Sequence, residues 1–444
     1  MISEQEKELA LQSLELARRE GAQHCRICLS KNVTDMVDTL DGEVDKITHC
    51  LDRSLSISLF VDGRFGTFST NRLDGQELQG FIREAVAMTR LLAEDPCRKL
   101  PAPERCCHEA TDGTEMQTYD ESYESFDAES LRTLALAAVV DRTGYQGFKV
   151  VSEEGEASAS EFDTITADSN GLMCRLRETN FDYSSQVTVE TPDGRKYSGY
   201  WWESTPFLGK LDISGTGREA VRRAAAQIGS APVAGGRYNM VVSSEMGFKL
   251  VSPVLNALGG YSLQQNNSFM AESLGKQVFS GGLTVIDDCW RKGESGSRLF
   301  DSEGVASRPD DIIRDGVVKK YFINTYIAGK IGLSPTIEEP VRARVMPYPE
   351  PGLDRDAILR KVGSGIYVTG FNGGNCNSAT GDFSYGIEGF RFENGVLKEP
   401  VSGMLVTGNF LELWKKFLYA GDDARSCMSK LIPTLAFAEV DFNG

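Results

Sequence analysis

Residues 370–389, GFNGGNCNSATGDFSYGIEG, crowd six glycines and three asparagines into one short stretch. Glycine at that density demands backbone at φ > 0 or the close approach of another chain segment. Asn372, Asn375, Asn377, Thr380 and Asp382 add short polar arms that tolerate left-handed geometry and offer hydrogen bonds. The stretch reads as a loop leading towards Phe383, Tyr385, Ile387 and Phe390. Two readings stay open: tight turns in a β-rich domain, or the wall of a binding cleft where exposed backbone meets a ligand.

The chain around it has 444 residues, too many for one ordinary core, so two or three domains are expected. We place them at residues 1–112, an α/β region; 113–230, a helix plus strands packing with it; and 231–444, a β-rich domain. The expected class is α+β: mixed or antiparallel strands with flanking helices first, then a barrel-like or sandwich domain with a few helices. No apolar run approaches a membrane span. The start, MISEQEKELALQSLELARRE, is charged and helical rather than a signal peptide, which suggests a cytoplasmic protein.

Charge and rare residues exclude more. With 64 acidic against 47 basic residues and a net charge of −17, a phosphate backbone is repelled on average, so direct nucleic-acid binding is disfavoured. RRAAAQ from Arg222 and the pair Lys319–Lys320 are isolated and read as solvated faces. Ten cysteines scattered along the chain suggest reduced thiols rather than a disulfide framework. Only His24, His49 and His108 carry imidazole, and that scarcity limits the chemistry most.

Periodicity and turn residues outline the elements. Ser3 and Glu6 form a capping-box pattern before a helical stripe of Ala10, Leu11, Leu14 and Ala17. Short strands are expected at 25–29, 43–51, 54–60 and 66–70, then a helix on Leu78, Ile82, Ala85 and Val86. The proline-bearing residues 95–118 read as a linker. A helix over 128–141 follows, with alternation to 207 and a short helix in 215–229. Beyond residue 235 come a buried strand at 238–242 and helical pieces over 245–258 and 262–275. Asp315–Gly316 and Asn394–Gly395 are two-residue hairpin turns. A late helix over 409–420 and a last strand over 431–440 complete the outline.

Candidate chemistry is thin. His24-Cys25-x-x-Cys28, His49-Cys50 and Cys106-Cys107-His108 have the residue types of a zinc site, but strand alternation sends adjacent His and Cys to opposite faces. A serine or cysteine nucleophile needs a histidine base, and residues beyond His108 contain none, so Cys289, Cys376 and Cys427 read as buried or incidental thiols. Neither LGKQ at Leu274 nor AGKI at Ala328 has the spacing of a phosphate loop. Asp287–Asp288, Asp301 with Glu303, and Asp382 leave a paired-carboxylate hydrolase open, though such pairs are common on acidic surfaces.

Several segments in order resemble one family: VDGRFGTFSTNRLDGQEL from Val61, FDSEGVASRPDDIIRDGVVKKYFINTYIAGKIGLSPT from Phe300, NGGNCNSATGDFS from Asn372 and SKLIPTLAFAEVDF from Ser429. The chain is identified as resembling the TldD/PmbA family, also known as modulators of DNA gyrase, and is closer to the PmbA/TldE branch. The resemblance implies a cytoplasmic peptidase system in which a TldD-type subunit carries zinc on a His-Glu-x-x-x-His helix and a PmbA-type subunit pairs with it to act on unfolded or small peptides. In this chain the corresponding stretch is VVSSEMGFK from Val241. If Glu245 takes the glutamate's place, Ser244 and Lys249 stand where the two histidines would be, and Pro253 follows close behind. Neither serine nor lysine replaces a neutral imidazole on zinc. The expectation is therefore a subunit with no catalytic residue and no metal or cofactor of its own, with zinc in a TldD-type partner. Asn372, Asn375, Asn377, Thr380 and Asp382 are its expected substrate-facing residues, and Cys427 matches the family's C-terminal cysteine. The alternatives are a non-catalytic homodimeric binding or scaffold protein, and a metal-free hydrolase built on Glu245 or the Asp301/Glu303 pair.

Overall fold

A computed structural model describes residues 1–137, 140 and 142–444. The Ser3 hydroxyl accepts the Glu6 N–H while the Glu6 carboxylate accepts the Ser3 N–H, and this capping box starts α1 (Glu4–Arg19). Three antiparallel strands follow, β1 (His24–Leu40), β2 (Glu43–Val61) and β3 (Arg64–Thr70), then α2 (Gly75–Thr89) and α3 (Ala128–Ala137). Residues 138, 139 and 141 of the helix expected over 128–141 lie outside the described residues. β4 (Lys149–Asp168), β5 (Met173–Glu190) and β6 (Lys196–Thr205) extend the same antiparallel sheet, in the order β3-β2-β1-β4-β5-β6, and α4 (Thr216–Ala226) packs on it.

β1 runs far beyond the strand expected at 25–29, and β2 joins the strands expected at 43–51 and 54–60 into one. In residues 30–40 the face shared by Val33, Asp35, Val37 and Thr39 mixes apolar and polar residues, so the hydropathy alternation that advertises a half-buried strand is interrupted. Where the alternation is clear it sets the layers. Cys25, Ile27 and Leu29 are buried against α1 and α2, Val37 against α3, and Val187 and Val189 against α4. The other face carries Asn32, Thr34, Ser158, Ser160, Asn180 and Asp182, neighbours in register. The same alternation separates the His/Cys candidates. His24 is exposed beside buried Cys25, and His49 lies 2.7 Å from Asp35 with Cys50 turned to the opposite face.

The second half begins with β7 (Gly236–Val242), α5 (Phe248–Ala257) and α6 (Gly260–Gln264). Next come β8 (Val285–Asp287), β9 (Asp310–Arg314), β10 (Val317–Val318), α7 (Thr325–Ile331), β11 (Ala343–Val345) and α8 (Arg355–Val362). The chain ends with β12 (Gly365–Cys376), β13 (Asp382–Glu393), β14 (Val396–Asn409), α9 (Phe410–Lys415), β15 (Phe417–Ala420) and β16 (Leu435–Asn443). The sheet order β14-β13-β12-β7-β16 closes on itself because β16 also pairs with β14, giving a barrel; β15 hangs on β16. A small sheet, β10-β9-β8-β11, lies beside it. The core is filled by Met240, Val368, Phe383, Ile387, Val406, Trp414 and Phe437, among others. The fold is α+β.

Both predicted hairpin turns form, with φ of 51° and 76° at Asp315 and Gly316, and 51° and 74° at Asn394 and Gly395. Two helix expectations need correction. Over 262–275 only the end of α6 is helical, the rest being turns. The helix expected over 409–420 stops at Lys415, because Phe417–Ala420 is captured as a strand by β16.

Candidate functional site

The glycine-rich stretch is mostly paired strand, not loop. β12 and β13 run antiparallel through it, with bulges at 368–370 and 372–375, and only residues 377–381 form the connecting turn. The glycines serve close backbone approach: a Cβ on Gly374, at φ +85°, would lie 2.0 Å from the Ser384 carbonyl oxygen. Asn377, Thr380 and Asp382 gather in one turn. The Ala379 N–H donates to Asn377 Oδ1 (2.9 Å), the Thr380 hydroxyl donates to Asp382 Oδ2 (2.6 Å), and Asn409 Nδ2 donates to Asp382 Oδ1 (2.9 Å). The bonds from Asn409 and Thr380 hold the Asp382 carboxyl below its usual range. Asn372 is apart, donating to Glu388 Oε1 (2.6 Å), and Asn375 pairs in the ladder with Ser384. All five side chains are exposed.

A second arrangement lies where the end of β6 meets the second half of the chain. Arg425 is the hinge of it. Its Nη2 stands 3.1 Å from Glu203 and donates to the Trp202 carbonyl (2.5 Å), and its guanidinium lies 3.9 Å from the Trp201 ring centre and 4.5 Å from that of Trp202. Arg223, on α4, approaches the same Trp201 ring at 4.1 Å, and Trp201 Nε1 donates to Glu203 (2.9 Å). Arg223 in turn donates to Glu219 and Glu245, each at 2.9 Å. The result is a continuous chain of charge pairs and cation–π contacts from Glu245 to Arg425.

Beside this chain opens a cleft. One cavity of about 510 Å³ has Ser204, Lys210, Ser295 and Cys427 in its walls. Another of about 320 Å³ shares Ser204, Ser295 and Cys427 and reaches Ser160, Glu178 and Asn180 on the polar face of the first sheet. Burial pushes the Glu178 carboxyl up, partly opposed by Arg298. Burial also raises the Cys427 thiol against the pull of Arg425, which favours the protonated form over a nucleophilic thiolate. Buried Arg342 fixes the rim, holding Glu294 at 2.8 Å and donating to the Ser426 carbonyl (3.0 Å). This lining can hydrogen-bond and stack against a polar chain.

The stretch VVSSEMGFK from Val241, which the resemblance sets against a metal motif, sits at one end of this arrangement. Ser243 continues the β7–β12 pairing, its N–H donating to the Val368 carbonyl (3.0 Å), and Glu245 is buried against Arg223. Lys249 is exposed on the first turn of α5. A serine, an ammonium group and a carboxylate already neutralised by a guanidinium do not fit a zinc ligand set. The other acids are structural. Asp287 accepts the Val341 and Arg342 N–H groups, Asp301 those of Glu303, Val305 and Glu338, and Glu303 caps α7 through the N–H and hydroxyl of Thr325.

Sequence reasoning missed Trp201, Glu203, Arg223 and Arg425. In the sequence Arg223 reads as part of a solvated face with Arg222; its side chain is 25% exposed against 60% for Arg222. The available signal was the aromatic run Tyr200-Trp201-Trp202, dense in a chain with only four tryptophans.

Three domain models match the chain: PmbA/TldA metallopeptidase domain 1 at residues 25–89, the central domain at 117–228 and the C-terminal domain at 235–444. A protein of Bacteroides thetaiotaomicron named as a modulator of DNA gyrase has a crystal structure with TM-score 0.94 and 36% identity, covering all of both chains. The Escherichia coli O157:H7 protein named metalloprotease PmbA is 26% identical over 436 residues, 96% of this chain and 94% of that one. TldE from Thermococcus kodakarensis, at 17% identity, shares the fold with TM-score 0.79 over 98% of this chain and all of that one. The chain therefore belongs to the PmbA/TldD metallopeptidase family.

Proposed function

We propose that this chain is a PmbA/TldE-type subunit of a two-component TldD/PmbA-type peptidase, and that it holds peptide rather than cleaving it. The observation that carries this reading is the Glu245–Arg223 ion pair; with Glu245 in the place of the motif's glutamate, as the resemblance implies, Ser244 and Lys249 stand where the two imidazoles would be. In this reading zinc belongs to a TldD-type partner, the complex is cytoplasmic, and the substrate is a small or unfolded peptide. The cleft at Ser204, Ser295 and Cys427 and the exposed turn at Asn377, Thr380 and Asp382 are the candidate contacts, with Asn372 and Asn375 further along the same hairpin. Extended peptide is the chemistry that suits them, since serine, asparagine and strand edges all offer hydrogen bonds to backbone amides.

The test is to purify the chain alone and together with a family member that carries the histidine motif, then measure zinc content and peptide cleavage in each. The expected result is cleavage only in the mixture, with zinc following the histidine-bearing chain. Stoichiometric zinc and proteolysis by the isolated chain would overturn the proposal. Failure to associate with any such relative would favour a scaffold.

A further inference from the structure

The first sheet has an unusual border. β3 pairs with β2 only from Leu55 to Val61. From Glu43 to Ser54, β2 has β1 on one side and, among the described residues, no strand on the other. An open edge of that length is a template for another strand unless it is blocked. This edge carries no proline, and among the described residues Asp45, Lys46 and Asp52 have no ion-pair partner within the chain. On the helix-covered face Ile47 and Leu51 are 60% and 55% exposed, on either side of His49.

The segment Asp45-Lys46-Ile47-Thr48-His49-Cys50-Leu51-Asp52-Arg53 is complementary to its own reverse. Opposite residues of an antiparallel ladder share a face, so a twofold axis must pass between two copies of one residue. With that residue His49, Lys46 faces the partner's Asp52 and Asp45 the partner's Arg53. Ile47 then meets the partner's Leu51, and Thr48 the partner's Cys50. Symmetry repeats every pair, giving charge matches at both ends and an apolar cluster around the axis. Moving the axis to Thr48 sets Lys46 against the partner's Cys50 and Ile47 against the partner's His49. Moving it to Cys50 sets Lys46 against the partner's Ser54 and Ile47 against the partner's Arg53. Of these three registers only the one at His49 sets Asp45, Lys46 and Asp52 each opposite an opposite charge, with Arg53 shared between the partner's Asp45 and its own Glu6 (2.7 Å), and those pairs use only residues that β3 leaves unpaired.

We propose that two copies of this chain join edge to edge along β2, antiparallel about a twofold axis at His49, fusing their six-stranded sheets into one. The pairing is independent of the peptidase reading, because none of the cleft residues lies on β2.

Sedimentation of the full chain at micromolar concentration tests it. The unmodified chain is expected to dimerise. Lys46→Asp and Asp52→Lys, each setting like charges opposite one another at two symmetric places, should each weaken the dimer by about tenfold or more. The double variant Lys46→Asp/Asp52→Lys restores both pairs and should restore the dimer. These side chains are exposed, and circular dichroism checks that each variant is folded. A Thr48→Cys variant, opposite the partner's Cys50, should give a disulfide-linked dimer on mild oxidation, because directly opposite Cα atoms lie within disulfide range. A monomeric chain, a dimer indifferent to the single reversals, a double variant that does not recover, or a dimer without that crosslink would each overturn the proposal. Association only with a different chain would do the same.

Discussion

Glu245 is 7% exposed and depends on Arg223 for its countercharge. Arg223→Ala should therefore destabilise the chain by about 1–3 kcal/mol, below the full cost of a buried pair because the arginine is partly solvated. Adding Glu245→Gln should recover part of the loss, since a neutral amide needs no cation; urea midpoints of the two variants measure both effects. Asp301 gives a pH signature. Burial pushes its carboxyl from 3.8 to about 6, opposed by the N–H groups of Glu338 and Val305 and reinforced by Glu303 and Glu338. The folded state therefore holds this proton over a window where the unfolded state has lost it. Stability contributed by the protonated form is present below about pH 4 and falls as pH rises to about 6, by about 3 kcal/mol over the window. The difference in stability between the parent chain and Asp301→Asn, followed from pH 4 to 7, should show that slope. A flat difference would place Asp301 in an ordinary environment. Neither property was legible from one sequence: Asp301 is an unremarkable acid until the residue 338 backbone folds over it.

At the scale of elements, what the sequence announced was local chemistry. The Ser3/Glu6 cap and the Asp-Gly and Asn-Gly turns formed as read, because each is decided by a few adjacent residues. The extension of β1 past Leu29 was hidden, because polar residues interrupt its hydropathy alternation, and so was the joining of 43–51 to 54–60 across Asp52 and Arg53. The fate of residues 417–420 was hidden too, since helix or strand there depends on β16. The junction of α4 with β6 shows how such packing builds the site. A Cβ on Gly199 would lie 2.2 Å from the Ala220 carbonyl oxygen and 2.4 Å from the Ala224 nitrogen. Gly199→Ala must push α4 outward, carrying Arg223 away from Trp201 and Glu245. The expected cost is about 1–3 kcal/mol, accompanied by a change in tryptophan fluorescence, whereas Gly209→Ala, with open space around its Cβ, should leave both unchanged.

Across the whole molecule the two halves are stitched at separate places, and this is where sequence reading ran out. The glycine-rich hairpin was visible because its composition is local, while the cleft at Arg425 joins residues more than two hundred positions apart. The second stitch is at the other end of the chain. Asp95 stands 3.0 Å from Lys330 and accepts the Tyr326 hydroxyl (3.1 Å), and Arg98 lies 3.4 Å from the Tyr326 ring centre. Nearby, Arg105 donates to Thr325 (3.3 Å) and Arg26 to the Glu303 carbonyl (3.1 Å). Each contact is worth little alone: a partly exposed ion pair contributes about 0–1 kcal/mol and a cation–π contact about 1–2 kcal/mol. Together they are comparable with the few kcal/mol by which two domains of ordinary stability differ. The parent chain should therefore unfold in one calorimetric transition. Asp95→Ala/Arg98→Ala removes the ion pair and the cation–π contact of this stitch without touching either core, and Arg425→Ala removes those of the other. With all three substitutions the sheet half should melt separately from the barrel half, giving two transitions, the barrel's holding its position. Two transitions in the parent chain would mean that the halves are thermodynamically independent. A single transition surviving all three changes would mean that the coupling lies in the apolar cluster that holds Phe300, Leu172 and Cys107 and in the remaining bonds of Arg105 and Arg26.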